Sequence, residues 1–291
     1  MAVFPAKGKS VVFKTDMLVE HTDVPAGMTY RQAARKVVAM CVSDFAAKGA
    51  SPDAFMVSVG LTKKVSQKEV DAVALGLHDA ERAWGVRLVG GDTNESKELV
   101  IDCAMVGFAG RIVARDGASP GDLLVVTGYF GYPPSGLKIL TAGAKAARKF
   151  RLAATKSVLE PTPNLGAGLA LAPFLTSSMD SSDGLARSIH TLARESGVGF
   201  VLSALPTGEG VERFASENGL DVEKLVLEGG EEYLIVGTVR RSELEDATAA
   251  ASKAGARLLV IGRASKERGR VVMREGRSLR SVRDEGWTHL R

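Results

Sequence analysis

The chain has 291 residues, enough for one large domain or two domains of about 100–170 residues each. Hydrophobic residues make up 45% and charged residues 25%, which are ordinary values for a folded protein and exclude a disordered linker or adaptor. The formal net charge of +4 is modest and basic residues are interspersed with acids, so we expect no nucleic-acid partner and favour a small polyanion.

Neither a membrane span nor a disulfide framework is indicated. No segment reaches the ~18 uninterrupted apolar residues of a membrane helix, and the first residues lack the basic and apolar regions of a signal peptide. Cys41 and Cys103 both lie in apolar segments, which favours buried free thiols. We therefore expect a cytoplasmic protein that does not contact a membrane.

The first part of the chain alternates strands and helices. Apolar runs bounded by turn residues predict strands at 11–14, 54–61, 87–89 and 99–107. Thr29 is suited to cap a helix that ends near Gly49, and Ser66 with Glu69 forms a capping box before a helix to about Trp84. The turn-rich stretch 116–122 predicts a domain boundary, dividing the chain into residues 1–117 and 118–291.

The second part reads as mixed α/β. Strands are predicted at 123–127, 199–202, 233–239 and 258–261. A helix is predicted to follow Gly184 and to end near Glu195, because Leu185, Ile189 and Leu192 make one apolar face. The alternation of elements indicates the α/β class.

Five aspartates share an unusual setting, because each lies beside Gly, Ser or Thr at the predicted end of an apolar element. They are Asp16, Asp44, Asp92, Asp180 and Asp183. Each one alone could simply cap a helix or make a turn. Together they favour a ligand site, since small neighbours let the backbone approach a ligand and carboxylate oxygens are the ligands of Mg²⁺.

Common nucleotide and hydrolase motifs are absent. The sequence has no phosphate-binding loop of the Gly-x4-Gly-Lys type, no Gly-x-Gly-x-x-Gly, no protein-kinase signature and no His-Glu-x-x-His. Residues 117–121 match Gly-x-Ser-x-Gly, but Pro120 marks a turn without a strand and helix around it, so Ser119 is not expected to be a nucleophile. A nucleotide would therefore be held by a less common fold.

Six segments of the chain stand out, in this order: Lys14-Thr-Asp-Met-Leu-Val-Glu20, Val42-Ser-Asp-Phe-Ala-Ala-Lys-Gly-Ala50, Gly90-Gly-Asp-Thr93, Gly117-Ala-Ser-Pro-Gly-Asp122, Asp180-Ser-Ser-Asp-Gly-Leu185 and Gly229-Gly-Glu-Glu-Tyr-Leu234. Together they resemble the thiamine-monophosphate kinases of the aminoimidazole ribonucleotide synthetase-like superfamily. The likeness covers essentially the whole chain, and Thr22-Asp-Val-Pro25 resembles the archaeal branch.

The resemblance implies a two-domain α/β (α+β) fold. Residues 1–117 would form an N-terminal domain that binds ATP and magnesium and whose sheet pairs across a homodimer into a β-barrel, and residues 118–291 a C-terminal α/β domain. The implied enzyme is a kinase that transfers the γ-phosphoryl group of ATP directly to thiamine monophosphate with Mg²⁺, giving thiamine diphosphate and ADP. Such a transfer needs charge neutralisation and placement more than a nucleophilic side chain.

The resemblance also implies roles for individual residues. Metal-binding positions are Thr15, Asp16, Asp44, Asp92, Asp180 and Asp183. ATP-contacting positions are Gly91, Asp92, Arg115 and Ser182, and substrate-contacting positions are Asp23, Glu231 and Trp287. Catalysis is expected to depend most on Asp44, Asp183 and Arg115.

Two departures from the family pattern leave alternatives open. The Gly-Asp-Asp-Ala segment, expected just before Ala2, is not found, so either the natural start lies upstream or one metal-binding acid is missing. Asp23 stands where many bacterial members have His. The alternatives are a superfamily relative that uses ATP on another acceptor, such as formylglycinamidine ribonucleotide or a carbamoylated protein, and a nucleotide-binding protein with a degraded site.

Overall fold

The computed structural model describes residues 1–6 and 8–288. The N-terminal half contains strands β1 (Ala2–Ala6), β2 (Lys9–Val19), β3 (Ser51–Leu61), β4 (Arg87–Glu95) and β5 (Val100–Ala109), and helices α1 (Glu20–Asp23), α2 (Tyr30–Lys48) and α3 (Gln67–Trp84). These strands form one sheet in the order β1-β2-β5-β3-β4, in which only the β3–β4 pair is parallel among the described residues.

The two faces of this sheet have different surroundings. Helices α2 and α3 pack together, and α2 lies on the inner face of the sheet, where Phe45, Phe55 and Met105 are fully buried in a shared core. On the opposite, outer face, large apolar side chains including Phe13 and Met17 are exposed. An exposed apolar sheet face of this kind is typical of an interaction surface.

Local capping signals set the ends of the two long helices. The Thr29 hydroxyl accepts a hydrogen bond from the backbone N–H of Gln32, and Ser66 and Glu69 form the predicted capping box at α3. Gly49 ends α2 in the left-handed conformation, with φ of 63°, which favours glycine. The predicted starts of both helices and the predicted end of α2 are confirmed.

The C-terminal half is built on a second sheet. It contains strands β6 (Leu123–Val126), β7 (Leu175–Asp180), β8 (Gly199–Leu202), β9 (Ile235–Val239), β10 (Leu259–Ser265), β11 (Val271–Glu275) and β12 (Ser278–Ser281). Its helices are α4 (Tyr132–Ala142), α5 (Arg148–Leu159), α6 (Leu165–Leu171), α7 (Leu185–Ser196), α8 (Val211–Glu217), α9 (Val222–Leu227) and α10 (Leu244–Lys253), with a 3-10 turn at Arg241–Glu243. The strand order is β12-β11-β8-β10-β6-β9-β7.

Helix α2 joins the two halves, because besides the N-terminal sheet it packs against α6, β7 and β9 of the second half. At its end, the ammonium of Lys48 is buried and donates to the backbone carbonyl of Ser178 at 2.6 Å. Burial, helped by the nearby charge of Arg115, lowers the pKa of Lys48 to about 8. This packing holds the C-terminal end of α2, which carries Asp44 and Lys48, beside β7.

Several sequence predictions of strands were too short or missing. Strands β2 and β4 run past the predicted ends, so Asp16 and Asp92 lie inside strands and not after them. Strand β7 was not predicted, because its Thr, Ser and Ser residues do not read as apolar. In the structure two of these hydroxyls find a partner across the sheet: Thr176 Oγ1 and Ser177 Oγ lie 2.6 and 2.7 Å from the Thr238 hydroxyl. Strands β1, β11 and β12 were also missed.

Two further expectations concern the cysteines and membrane-spanning helices. Cys41 and Cys103 are buried free thiols, as expected, and the Cys41 thiol lies 3.3 Å from the backbone carbonyl of Cys103. None of the helices in the described part of the chain combines the length and apolar character that crossing a bilayer requires.

Candidate active site

A cleft of about 840 Å³ lies between the two halves of the chain. One wall comes from β2, the segment after it and α2, and the other from α4, the turn between β7 and α7, residues 228–233 and residues 284–287. The acids among the predicted site residues that line it are Asp16, Asp23, Asp44, Asp180, Asp183 and Glu231. Ser182 and Trp287 line it as well.

Three aspartates reach the cleft from different elements. Strand alternation turns Asp16 to the inner face of β2, Asp44 lies on the last turns of α2, and Asp180 ends β7. The ammonium of Lys14 lies between two of them, 3.0 Å from Asp16 Oδ1 and 2.6 Å from Asp44 Oδ2. The Ser43 hydroxyl donates to Asp180 Oδ2 at 2.8 Å.

The electrostatics of this group follow from burial and from mutual repulsion. Burial and the negative charge of Asp44 raise the pKa of Asp180 above its ordinary value. Burial also raises the pKa of Asp16, against the opposing effect of Lys14. For Lys14, burial disfavours the ammonium, but Asp44 and Asp16 outweigh that effect and raise its pKa. The three carboxylates therefore carry more negative charge than the single ammonium of Lys14 can neutralise.

The donor chemistry of the group fits a hard divalent cation, because carboxylate oxygens from separate elements converge on it. Asp16 Oδ2 is buried and has no hydrogen-bond partner, which is costly unless a ligand satisfies it. As the side chains stand, however, no three His, Cys, Asp or Glu residues within 1–6 and 8–288 are arranged to hold a metal ion. Lys14 fills the space between two of the oxygens that a cation would need.

The predicted substrate residues lie on both walls of the cleft. The Asp23 carboxylate is held by its own segment, accepting from the Val19 backbone N–H and the Thr22 hydroxyl, both at 2.8 Å. Glu231 faces it from the other half and forms an ion pair with Lys36. The Trp287 side chain is half exposed at the rim.

Backbone contacts hold Glu231 and Trp287 beside the acidic group. Glu231 and Tyr233 both have left-handed backbone angles, with φ of 66° and 51°, a conformation that stores strain in residues other than glycine. Their backbone N–H groups donate to the carbonyls of Ser182 and Ser181 at 2.7 and 2.9 Å. The Trp287 backbone N–H donates to the Asp183 carbonyl at 2.9 Å.

Four of the predicted site residues do not line this cleft: Thr15, Gly91, Asp92 and Arg115. Thr15 points to the outer face of the sheet, where its hydroxyl donates to Asp102 Oδ1 at 2.8 Å. Asp92 aligns with Ser58 and, one strand further on, Asp102, on that same outer face. The described part of one chain therefore does not bring all the proposed metal and ATP residues together.

Gly91 and Arg115 lie apart from the acids for different reasons. Gly91 shares a row of the sheet with Asp16, but three strand spacings, about 14 Å, separate them. Arg115 is exposed in the connection between β5 and β6, and its backbone carbonyl accepts from the Ser196 hydroxyl at 2.9 Å. The roles of these two residues in ATP binding stay predictions.

Sequence reasoning missed two lysines of the cleft region. Lys14 precedes Thr15 and Asp16 directly, and only the true length of β2 shows that it shares a face with Asp16. Lys36 is 1% exposed, donates to the Asp23 carbonyl at 3.0 Å and pairs with Glu231. A signal for Lys36 was available, since it falls among the buried positions of α2.

Comparisons with known proteins agree over both halves of the chain. The family models of AIR synthase related proteins match residues 1–109 for the N-terminal domain and 119–274 for the C-terminal domain. A thiamine-monophosphate kinase of Nitrosopumilus maritimus is 36% identical over 97% of this chain and 90% of its own length. One of Pyrococcus horikoshii is 33% identical over 95% of this chain and 85% of its own length.

A solved structure described as "AaThiL complexed with AMPPCP and TMP" superposes with a TM-score of 0.89 at 26% identity, covering 99% of this chain and 90% of the other. The fold and the cleft thus define an AIR synthase related protein. Within that group the chain belongs to the thiamine-monophosphate kinase family. The two-domain α/β fold and the family expected from the sequence are confirmed; the barrel across a dimer and the boundary after residue 117 stay predictions.

Proposed function

We propose that this chain transfers the γ-phosphoryl group of ATP to thiamine monophosphate, giving thiamine diphosphate and ADP. One observation carries the proposal: the cleft that collects Asp16, Asp44, Asp180 and Asp183 also holds Glu231. Carboxylates of this density are suited to bind cation-neutralised phosphates. The names of the relatives and the ligands of the solved AaThiL structure support the same reading.

The proposed reaction is a direct displacement. An oxygen of the acceptor phosphate attacks the γ-phosphorus, the new P–O bond forms as the bond to the β,γ-bridging oxygen breaks, and ADP leaves with that electron pair. No side chain needs to form a covalent intermediate, so the residues act by placing the two anions in line and by excluding water. Ser182, at the turn between β7 and α7, lies where its hydroxyl could contact ATP.

Magnesium is part of the proposal. Asp16, Asp44, Asp180 and Asp183 would hold it, and when bound it would neutralise the phosphate oxygens of ATP and of the acceptor. The unpartnered Asp16 Oδ2 supports this assignment. Thr15 and Asp92 lie on the outer face and are kept as metal positions only together with a second chain.

The thiazolium ring of the acceptor is proposed to lie against Trp287, with Glu231 and Asp23 close to its positive charge. An indole face attracts a cationic ring, and two carboxylates strengthen that attraction. The half-exposed Trp287 and the Lys36-held Glu231 both line the cleft, which supports this placement. Arg115 is proposed to contact ATP, although it does not line the cleft of the single chain.

We also propose a homodimer formed through the outer face of the N-terminal sheet. Phe13, Met17, Met56 and Phe108 are each more than 40% exposed there. Such a surface is costly to leave in water and is usually covered. The mass of the chain in solution, measured by light scattering, tests this part; a single-chain mass at micromolar concentration would contradict it.

The function is tested by incubating the chain with ATP, thiamine monophosphate and Mg²⁺ and identifying the products by mass. We expect thiamine diphosphate and ADP in equal amounts, with no ADP formed when thiamine monophosphate is left out. ATP consumption without thiamine diphosphate, or a much better reaction with another phosphorylated or carbamoylated acceptor, would contradict the proposal. A control with EDTA in place of Mg²⁺ should give no product.

A further inference from the structure

Lys14 is the unexpected member of the acidic group. It lies in the middle of β2 with its side chain on the inner face, 19% exposed, and contacts both Asp16 and Asp44. Its ammonium therefore bridges two carboxylates that come from different elements, a strand and a helix. In a bridge of this kind one positive charge serves two negative ones.

The strand does not need this lysine for its own stability. The backbone of β2 pairs with β5 from Ser10 to Val19, and with β1 from Lys9 to Phe13. The neighbouring inner-face positions Val12 and Leu18 are fully buried and supply the apolar packing. Placing a long cationic side chain between two carboxylates in a cleft costs side-chain entropy and desolvation, so a role in the site explains its position better than one in folding.

We propose that Lys14 is a built-in cation of the site, which occupies the space between Asp16 and Asp44 in place of a metal ion. Divalent cations would then bind on the other side of the group, at Asp44, Asp180 and Asp183 and at the unpartnered Oδ2 of Asp16. This inference rests on the proposed function only in assigning these carboxylates to phosphate-bound magnesium.

Geometry and charge both indicate that Lys14 and a metal ion cannot occupy the space between Asp16 and Asp44 at the same time. A magnesium ion binds oxygens at about 2.0–2.1 Å, so it cannot occupy the space between Asp16 Oδ1 and Asp44 Oδ2 while the Lys14 ammonium lies 3.0 and 2.6 Å from those two oxygens. Like charges this close also repel strongly. An ammonium has three N–H donors, and two contacts with Asp16 and Asp44 leave one for a phosphate oxygen in the cleft.

The inference predicts that a neutral side chain opens one more cation position. Lys14→Met keeps the length of the side chain and removes its charge, and Lys14→Gln is a second variant in case the first does not fold. Lys63→Met is the matched control, because Lys63 is 77% exposed and pairs with Glu95 away from the cleft. Mn²⁺ binding to each full chain, without nucleotide, is counted by electron paramagnetic resonance and by calorimetry.

We expect the Lys14 variants to bind one more Mn²⁺ per chain than wild type, or to bind Mn²⁺ at least about tenfold more tightly, because Asp16 and Asp44 become available. Lys63→Met should match wild type. Unchanged number and affinity of bound Mn²⁺ would overturn the inference.

A second measurement uses the wild-type chain and does not depend on any variant. Mn²⁺ located by anomalous scattering in crystals should lie near Asp44, Asp180 or Asp183, while an ion bridging Asp16 and Asp44 with Lys14 displaced would overturn the inference. Both measurements are independent of turnover. A gain of Mn²⁺ in a chain that makes no thiamine diphosphate supports the role of Lys14 and contradicts the proposed function alone.

Discussion

Strand β2 contributes to two different environments at once. On its inner face, Lys14 and Asp16 are largely buried and ion-paired beneath α2 and the C-terminal half. On its outer face, Phe13, Thr15 and Met17 are exposed. Residues that follow one another in the chain thus belong to different surfaces, because successive side chains of a strand point to opposite faces.

This difference divides the predicted site into two sets. Asp16, Asp44, Asp180 and Asp183 line one cleft of one chain, whereas Thr15 and Asp92 face away from it. The two sets can act in one reaction only if another surface brings the outer set to a cleft. A second copy of the chain on the outer face is the arrangement that the exposed apolar side chains favour.

The largest effect is expected on the inner face. Asp44→Asn and Asp183→Asn should each lower kcat by about 10³-fold or more, because each removes a charged oxygen ligand from the phosphoryl-transfer site. The measurement is thiamine diphosphate formation, with circular dichroism to confirm the fold. Asp53→Asn is the control, since Asp53 pairs with Arg87 at the surface. Near-wild-type turnover in both cleft variants would contradict the proposed site.

The inner set was accessible to sequence reasoning because its acids follow recognisable small residues. Ser43 beside Asp44, and Ser181 and Ser182 between Asp180 and Asp183, mark backbone that is close-packed in the structure. The caps of α2 and α3 were predictable for a similar reason, since capping depends on residues three positions apart.

The rest depends on distant contacts that a linear pattern does not contain. The length of β2 decides that Lys14 joins Asp16, and that length is set by pairing with β5, in which Lys14 lies opposite Met105. Strand β7 is polar in sequence and becomes a strand because its backbone pairs with β9, where Thr238 also contacts the Ser177 hydroxyl. The side of the sheet on which Asp92 lies follows from its register with Ser58.

A subunit complementation test sharpens the division between the faces. Asp44→Asn and Asp92→Asn chains should each be nearly inactive alone. If a site combines Asp44 of one chain with Asp92 of another, purified mixed dimers should recover about half of wild-type activity, because each mixed dimer has one intact site of two.

The recovery is measured on co-expressed chains purified with two different tags, which isolates mixed dimers. Two copies of the Asp44→Asn chain with different tags are the control and should stay inactive. Absence of recovery in folded mixed dimers would mean that Asp44 and Asp92 act within one chain or that Asp92 has no part in the site.

A smaller effect on activity is expected at the part of the cleft where Asp23 and Glu231 lie. Lys36→Met removes the buried ammonium that holds Glu231 and the Asp23 carbonyl. We expect the KM for thiamine monophosphate to rise by about tenfold with a smaller change in kcat, because binding and not the chemical step loses its support. The KM for ATP should change little.

A double-mutant cycle separates this positioning role from a general loss of stability. In a Glu231→Gln background, Lys36→Met should raise the KM for thiamine monophosphate much less, since the partner it positions is already altered. Equal effects of Lys36→Met in both backgrounds would show that Lys36 does not act through Glu231.

The smallest effect concerns Glu232, a partly buried acid behind the cleft wall that forms no ion pair in the described part of the chain. Its carboxylate accepts from the Gly131 backbone N–H at 2.5 Å, and burial raises its pKa from the ordinary 4.5 to about 8 despite that bond. Below about pH 4.5 the proton is held in both states, and between the two values the folded chain binds it more tightly. The stability that this proton provides is therefore lost as the pH rises through about 8.

Glu232→Gln keeps an oxygen for the Gly131 N–H and has no charge to bury. We expect the variant and wild type to be similarly stable near pH 5, and the variant to be more stable near pH 9 by on the order of 1–2 kcal/mol. Urea unfolding at the two pH values measures the difference, and titrations elsewhere in the chain cancel in the comparison. Glu212→Gln, at an exposed position of α8, should show no such pH dependence. A constant difference between Glu232→Gln and wild type would mean that Glu232 is ionised in the folded chain at both pH values, as an exposed glutamate would be.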